Sequence, residues 1–313
     1  LLAVFLSRIR RKRLPNTLPI GVYPPLPTFF DAQDELDLST LRNHMLRLAE
    51  SGIAGYVLMG SNGEAVHLTA DERVQVITTA REALAHDKFH LPLIAGCGDQ
   101  STRGTLEHCR NAARAGADYA LVLPPSYYRS CMSSTALLTH YRVVADQSPL
   151  PIVLYNMPAS AAGLDLDAEI IGQLAQHPNI VGVKDSAGNI AKLSMIVSQV
   201  APEFRVFAGS ASYFLPALSV GACGVVAALA NVYPRAVCQL QQLFLTGDME
   251  EARALQARMV PANLAVTTRF GVPGLKAALE QVAGYGGHPR LPLLPLTDSE
   301  REQLLQILNQ SAL

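Results

Sequence analysis

Residues 151–186, PIVLYNMPASAAGLDLDAEIIGQLAQHPNIVGVKDS, hold a strand, a helix and a second strand in succession. PIVLYNMP (151–158) and NIVGVKDS (179–186) are short apolar, β-branched runs closed by Pro and Ser. Between them the apolar residues take helical spacing after Asp165 or Asp167, either of which suits a helix N-cap. A helix between two such runs is the crossover that joins parallel strands.

The same beat runs outward in both directions. Upstream lie IGVYPPLPT (20–28), IAGYVLMGSNGE (53–64), LPLIAGCG (91–98) and ADYALVLPP (117–125). Downstream lie FRVFAGSA (204–211) and GACGVVAALA (221–230). Thr69 opens TADERVQVITTAREAL with Glu72 three residues on, a capping box, and Ser101 and Ser133 or Ser134 start later helices. Centre-to-centre spacing falls from about 35 residues to about 20–25, the length of one strand–helix unit. Eight units with near-continuous apolar strands predict a (β/α)8 TIM barrel. An open doubly wound sheet is the competing architecture, but VYPPLPT is nothing like the glycine-rich turn that would follow its first strand.

Beyond residue 232 only helical periodicity continues, through AVCQLQQLFLTGDMEEARALQARMVPANLAVTTRF and SEREQLLQILNQ. No Ser, Gly or charged linker sets this part loose. The expected organisation is a barrel over 19–240 and a C-terminal helical subdomain over 241–313, packed on it. Residues 1–18 carry several basic side chains and no acid. Such a leader is compatible with a mitochondrial transit segment and equally with a terminus outside the fold. It is set aside from the fold reasoning, and the compartment stays open between mitochondrial matrix and cytoplasm.

The chain has 313 residues, 49% of them hydrophobic, and a formal net charge of −1. That charge disfavours nucleic acid as the partner, since phosphate binding needs a concentrated positive field. The leader's apolar run is too short to span a bilayer. The five cysteines are scattered, odd in number and without a C-x-x-C pair, which reads as a reduced interior. The histidines are equally dispersed and announce no metal site.

In a barrel the chemistry collects where strands end. Lysine is scarce (Lys12, Lys88, Lys184, Lys192, Lys276), and Lys184 alone stands inside a strand. Alternation puts Val181 and Val183 on one face and Gly182, Lys184 and Ser186 on the other. With the valines against the helices, Lys184 points inward. A desolvated ammonium is costly, and the neutral amine is the form that attacks carbonyls; a lysine at a strand end can also snorkel to solvent. Pro151, Val153 and Tyr155 share one face of the preceding strand. A phenol beside a reactive amine can relay protons, although buried tyrosines commonly do no more than satisfy their hydroxyl. GSNGE (60–64) makes a turn whose converging N–H groups, with the Ser61 hydroxyl, suit a carboxylate. It also describes an ordinary loop, and Glu64 fits a cap or loop-bracing role better than that of a base. Tyr127, Tyr128 and Arg129 follow the fourth strand.

Taken in order and spacing, GSNGE, PSYYR, VLYNMP, VGVKDSAGN and FAGSA resemble the dihydrodipicolinate synthase/N-acetylneuraminate lyase superfamily from about residue 20 to the C-terminal end. Within it the chain is most similar to the mitochondrial type of 4-hydroxy-2-oxoglutarate aldolase, on GSNGE, AGLDL, QHPNIVG, KDSAG, and RFGVPGLK followed by GYGG. The resemblance implies a Schiff-base lysine at Lys184 and an acid/base tyrosine at Tyr155. It implies a pyruvate-carboxylate site at Ser61 and Asn62, and a second tyrosine, Tyr128, reaching a neighbouring subunit's site. Ser186 would face the second substrate, and Gly209 and Ser210 would border the pocket. It further implies a homotetramer built as a dimer of dimers, acting on a small 2-oxo acid without metal or cofactor.

One departure matters. The synthases carry an arginine shortly after Y-N-x-P, where this chain reads ASAAG (159–163). The expected activity is therefore retro-aldol cleavage of a 4-hydroxy-2-oxo acid, 4-hydroxy-2-oxoglutarate before others, to pyruvate and glyoxylate. The alternatives are a 2-oxo-3-deoxy sugar-acid aldolase, a dihydrodipicolinate synthase, and a catalytically idle barrel serving as a binding module.

Overall fold

The computed structural model describes residues 17–86 and 90–313; the basic leader up to residue 16, and Lys88, lie outside them. Eight parallel strands follow one another around a barrel: β1 Gly21–Tyr23, β2 Tyr56–Leu58, β3 Leu93–Gly96, β4 Tyr119–Val122, β5 Ile152–Asn156, β6 Ile180–Asp185, β7 Arg205–Ala208 and β8 Gly224–Val226. β1 pairs with β8, and every other strand with its sequence neighbours from β2 to β8. The seam between β1 and β2 is closed by Ala54 N–H to Val22 O (2.8 Å), Val57 N–H to Pro24 O (3.1 Å) and Leu26 N–H to Val57 O (2.9 Å). Pro24 and Pro25 have no N–H, so carbonyls carry this seam where a regular ladder would need donors.

Each strand is followed by a helix: α1 Leu38–Ala49, α2 Ala70–His86, α3 Thr102–Ala115, α4 Ser134–Gln147, α5 Ala168–Leu174, α6 Ile190–Gln199, α7 Phe214–Ser219 and α8 Pro234–Thr246. Their starts follow side-chain chemistry. Asp37, Ser101, Ser133, Asp167 and Asn189 each accept a hydrogen bond from a first-turn N–H. The Thr69–Glu72 box forms in both directions, at 2.7 and 3.3 Å. Of the two candidate pairs, Ser133 and Asp167 are the caps.

The core has two layers. Tyr23, Val57, Ile94, Leu121, Val153, Tyr155, Phe207 and Val226 fill the barrel, while the opposite strand faces pack on the helices. Leu18 is fully buried in the inner layer, and its carbonyl accepts a hydrogen bond from Arg205 Nε at 3.1 Å. The fold therefore begins at least one residue earlier than the 18/19 boundary expected from sequence. The boundary at 240 also moves. It falls inside α8, whose amphipathic face continues to Thr246; Gly247, in the left-handed region at φ 82°, is the natural break.

The C-terminal subdomain comprises α9 Met249–Leu264, a π-helical turn Ala265–Arg269, α10 Gly271–Ala283 and α11 Asp298–Ser311. Its buried Met259, Ala262, Leu275, Leu279, Leu304 and Leu308 merge with the outer core layer, so it is packed on the barrel. α9 lies against the turn after β7, and α10 reaches the turn after β2. Among the described residues no helix is long and apolar enough to cross a membrane.

Candidate active site

Lys184 and Tyr155 occupy the same register of β6 and β5. Both are almost wholly buried, at 4% and 3% exposure, and the Lys184 amine lies 4.0 Å from the centroid of the Tyr155 ring. The inward reading of Lys184 thus agrees with the structure, but one step toward it needs correction. Val181 does not share a face with Val183: it packs on the inner layer, whereas Val183 belongs to the outer one. Ile152 pairs with Ile180 and Val153 with Gly182, so Val181 is an extra residue in a β-bulge, and strict alternation fails there.

Next to the pair, one residue on, Asn156 and Asp185 face away from the barrel axis. Asn156 Nδ2 donates to Asp185 Oδ2 (2.8 Å) and Asp165 Oδ1 (2.6 Å), and its Oδ1 accepts from Leu166 N–H (2.8 Å). Lys192 Nζ sits 2.8 Å from Asp185 Oδ2 and 2.5 Å from Asp165 Oδ1. Each polar group here has a partner. The knot ties the ends of β5 and β6 together and fixes the relation of phenol to amine.

The turn after β2, Ser61–Gly63, brings Ser61 Oγ within 3.2 Å of Tyr155 Oη and 3.4 Å of Ser160 Oγ. Asn62 follows in the same turn. Glu64 closes it with left-handed backbone (φ 51°) and a buried side chain. Its Oε1 lies 2.7 Å from Lys276 Nζ, and its Oε2 accepts Arg290 N–H at 2.8 Å and faces His67 Nδ1 at 3.1 Å. Glu64 is a brace. Burial draws the Lys276 ammonium below its usual range, and the Glu64 carboxylate opposes that.

On the other side of Lys184 stand Ser186, Gly209 and Ser210. A Cβ on Gly209 would lie 2.7 Å from Ser186 Cα and closer still to its Oγ, so only glycine fits. The Gly209 N–H donates to Asp185 O at 2.7 Å. Tyr213 donates its O–H to the same carbonyl at 2.8 Å, and burial pushes this phenol well above its usual range. Asn263, fully buried on α9, donates to Ser210 Oγ and Ser212 Oγ, both at 2.8 Å. The Ser186 hydroxyl has no hydrogen-bond partner among the described residues.

A cavity of about 350 Å³ opens beside the pair, bounded among others by Ser61, Tyr155, Ser160, Gly98, Leu123 and Ser126. Of the expected site residues Ser61 and Tyr155 line it; Lys184, Asn62, Ser186, Gly209 and Ser210 do not, and neither does Tyr128. The ring is 70% exposed and packs edge-on against Tyr127 at 5.1 Å. Sequence reading missed Lys276, Arg290 and Asn263. Lys276 carried a signal, a lone lysine in the apolar run FGVPGLKAAL; Asn263 carried none, because its role depends on how α9 lies on the barrel.

The buried amine–phenol pair lies at the C-terminal ends of neighbouring strands of an eight-stranded α/β barrel, the end at which enzymes of this architecture carry their active sites. The chain belongs to the Dihydrodipicolinate synthetase family, whose model matches residues 19–311. It is 44% identical over 292 residues to the probable 4-hydroxy-2-oxoglutarate aldolase, mitochondrial, of Emericella nidulans, covering 93% of this chain and 94% of that one. It is 40% identical over 312 residues to L-threo-3-deoxy-hexylosonate aldolase of Aspergillus niger, covering 91% and 93%. A prophage protein of the dihydrodipicolinic acid synthase family from E. coli, solved in complex with pyruvate, superimposes with a TM-score of 0.87 at 29% identity, covering 94% and 99%.

Proposed function

We propose that this chain is a class I, Schiff-base aldolase, a carbon–carbon lyase that cleaves 4-hydroxy-2-oxoglutarate to pyruvate and glyoxylate. The observation that carries the reading is the buried Lys184 amine over the Tyr155 ring, with the Tyr155 hydroxyl beside Ser61. The free amine adds to the C2 carbonyl, and Tyr155 passes protons until water leaves and an iminium forms. The C4 hydroxyl then gives up its proton as the C3–C4 bond breaks; the bonding electrons flow into the iminium and leave an enamine while the aldehyde departs. Protonation at C3 and addition of water release pyruvate and restore the amine. The covalent route divides one high barrier into smaller ones, and Ser61 with Asn62 holds the carboxylate so that C2 stays at the amine.

A second reading, cleavage of a 2-oxo-3-deoxy sugar acid, is supported by the likeness to the relative from Aspergillus niger and by the Ser186 hydroxyl, buried two positions beyond Lys184 with no hydrogen-bond partner among the described residues. ASAAG lacks the arginine that the synthases carry after Y-N-x-P, which argues against dihydrodipicolinate formation. The reading extends to a homotetramer in which Tyr128 serves a neighbouring copy, and to the mitochondrion, the compartment in the name of the Emericella nidulans relative.

Borohydride reduction with pyruvate should add one stable mass to the Lys184 peptide, and Lys184→Ala should carry none. Pyruvate release across 4-hydroxy-2-oxoglutarate and several 2-oxo-3-deoxy acids then ranks the two substrates. An unlabelled wild-type protein would sink the imine.

A further inference from the structure

The C-terminal subdomain does more than cover the barrel. Lys276 on α10 projects its amine into a site with no solvent exposure, 2.7 Å from the equally buried Glu64 carboxylate. It also donates to His288 O at 2.8 Å and lies 4.5 Å from the centre of the Phe30 ring. Gly286 lets the returning chain press on the Lys276 backbone: a Cβ there would lie 2.0 Å from Lys276 O. Arg290, four residues on, donates its backbone N–H to Glu64. Its guanidinium donates to His67 O (2.9 Å) and to Glu72 Oε1 (2.8 Å), and it stacks on the other approach to Phe30 at 4.2 Å. Segments 276 and 288–290 therefore grip one carboxylate, two residues beyond Asn62.

We infer that Lys276 and Arg290 are positioning residues for the carboxylate-binding turn, so that the C-terminal subdomain sets how tightly the barrel holds the 2-oxo acid. The inference rests on the assignment of Ser61 and Asn62 to that carboxylate. Three features make the grip necessary. Glu64 holds a left-handed backbone that a side chain adopts only under constraint. The turn is three residues of 3₁₀ helix with no side-chain cap. Among the described residues the pairing of β2 ends at Leu58, and on the barrel side a hydrogen bond from Thr28 Oγ1 to Gly63 O (2.7 Å) meets the turn. A buried charge pair fixes such geometry because either half alone is strongly unfavourable.

Lys276→Met, Glu64→Gln and the double variant test this. Borohydride trapping at graded pyruvate concentrations reads half-saturation, and amide hydrogen exchange across residues 60–64, without substrate, reads the turn. Either single variant should raise the half-saturating pyruvate by about tenfold or more, with a smaller fall in the maximal trapping rate, and should speed exchange at 60–64. The double variant removes the orphaned charge but not the loss of the grip, so it should regain stability while both readouts stay displaced from wild type. Wild-type half-saturation and exchange in both single variants would overturn the inference, as would a double variant restored to wild-type values, which would trace the effect to a stranded charge alone. If Lys276→Met does not fold, Glu64→Gln decides alone by the same readouts. The exchange arm needs no imine, so a wild type that traps no pyruvate removes the aldolase reading and still leaves the grip open to refutation.

Discussion

Asn156 and Asp185 face each other across β5 and β6 at 2.8 Å, one residue beyond Tyr155 and Lys184, which hold the same register. The hydrogen bond outside the barrel thus sets the spacing of the phenol and the amine inside it. Lys192→Met would strand the Asp185 carboxylate, which is 1% exposed. The expected cost is about 3–5 kcal/mol, seen as a lower denaturation midpoint, with a fall in kcat larger than any change in KM. Wild-type kcat in a folded Lys192→Met protein would show that the knot serves stability alone.

Tyr155→Phe keeps the ring beneath the amine and removes the hydroxyl 3.2 Å from Ser61 Oγ. With Tyr155 as proton relay, kcat should fall by about 100- to 10,000-fold while thermal stability changes little. Borohydride should still label Lys184, more slowly. A rate near wild type would assign the relay elsewhere.

Gly209→Ala would drive a methyl into Ser186. Overpacking of this kind costs about 1–3 kcal/mol. Because the clash lies on the side of Lys184 away from Ser61, trapping of pyruvate should survive while cleavage of the longer 4-hydroxy-2-oxo acid weakens. Equal loss of both would place Gly209 outside the distal subsite.

Tyr128 is on the surface in the single chain. If it completes a neighbour's site, Tyr128→Ala and Lys184→Ala proteins, each nearly inactive, should regain activity when mixed under conditions that exchange subunits. Hybrids hold some sites with both groups intact. No recovery in verified hybrids would confine catalysis to one chain.

Burial lowers His44 to about 3 and His140 to about 4. Both are depressed below the unfolded value near 6.5, so the unfolded chain takes up more protons as pH drops. Their contribution is complete above that value and is lost as pH falls toward 4. Denaturation midpoints should decline across this range, and His44→Gln should flatten the slope. An unchanged slope would move the acid response to other groups.

The barrel was legible because its signal is repeated. Apolar runs, capping residues and crossover lengths recur eight times, and both candidate cap pairs contained the cap used. Lys184, Tyr155 and Ser61 were legible because strand ends and turns are local. What escaped depends on distant chain segments. Neither Lys276 at Glu64 nor Asn263 at Ser210 follows from spacing, since each partner comes from a subdomain whose docking no periodicity encodes. Val181 escaped for another reason: a bulge inserts a residue without altering composition.

That bulge divides β6 into two halves with independent parity. Loss of Val181 would remove an irregularity and leave the lysine aimed at the substrate. Deletion of Val183 has the same outcome, because Val181 and Gly182 then take regular places and Lys184 keeps its register with Tyr155. The strand can therefore give up one residue without turning Lys184, and a second loss would reverse the face it presents.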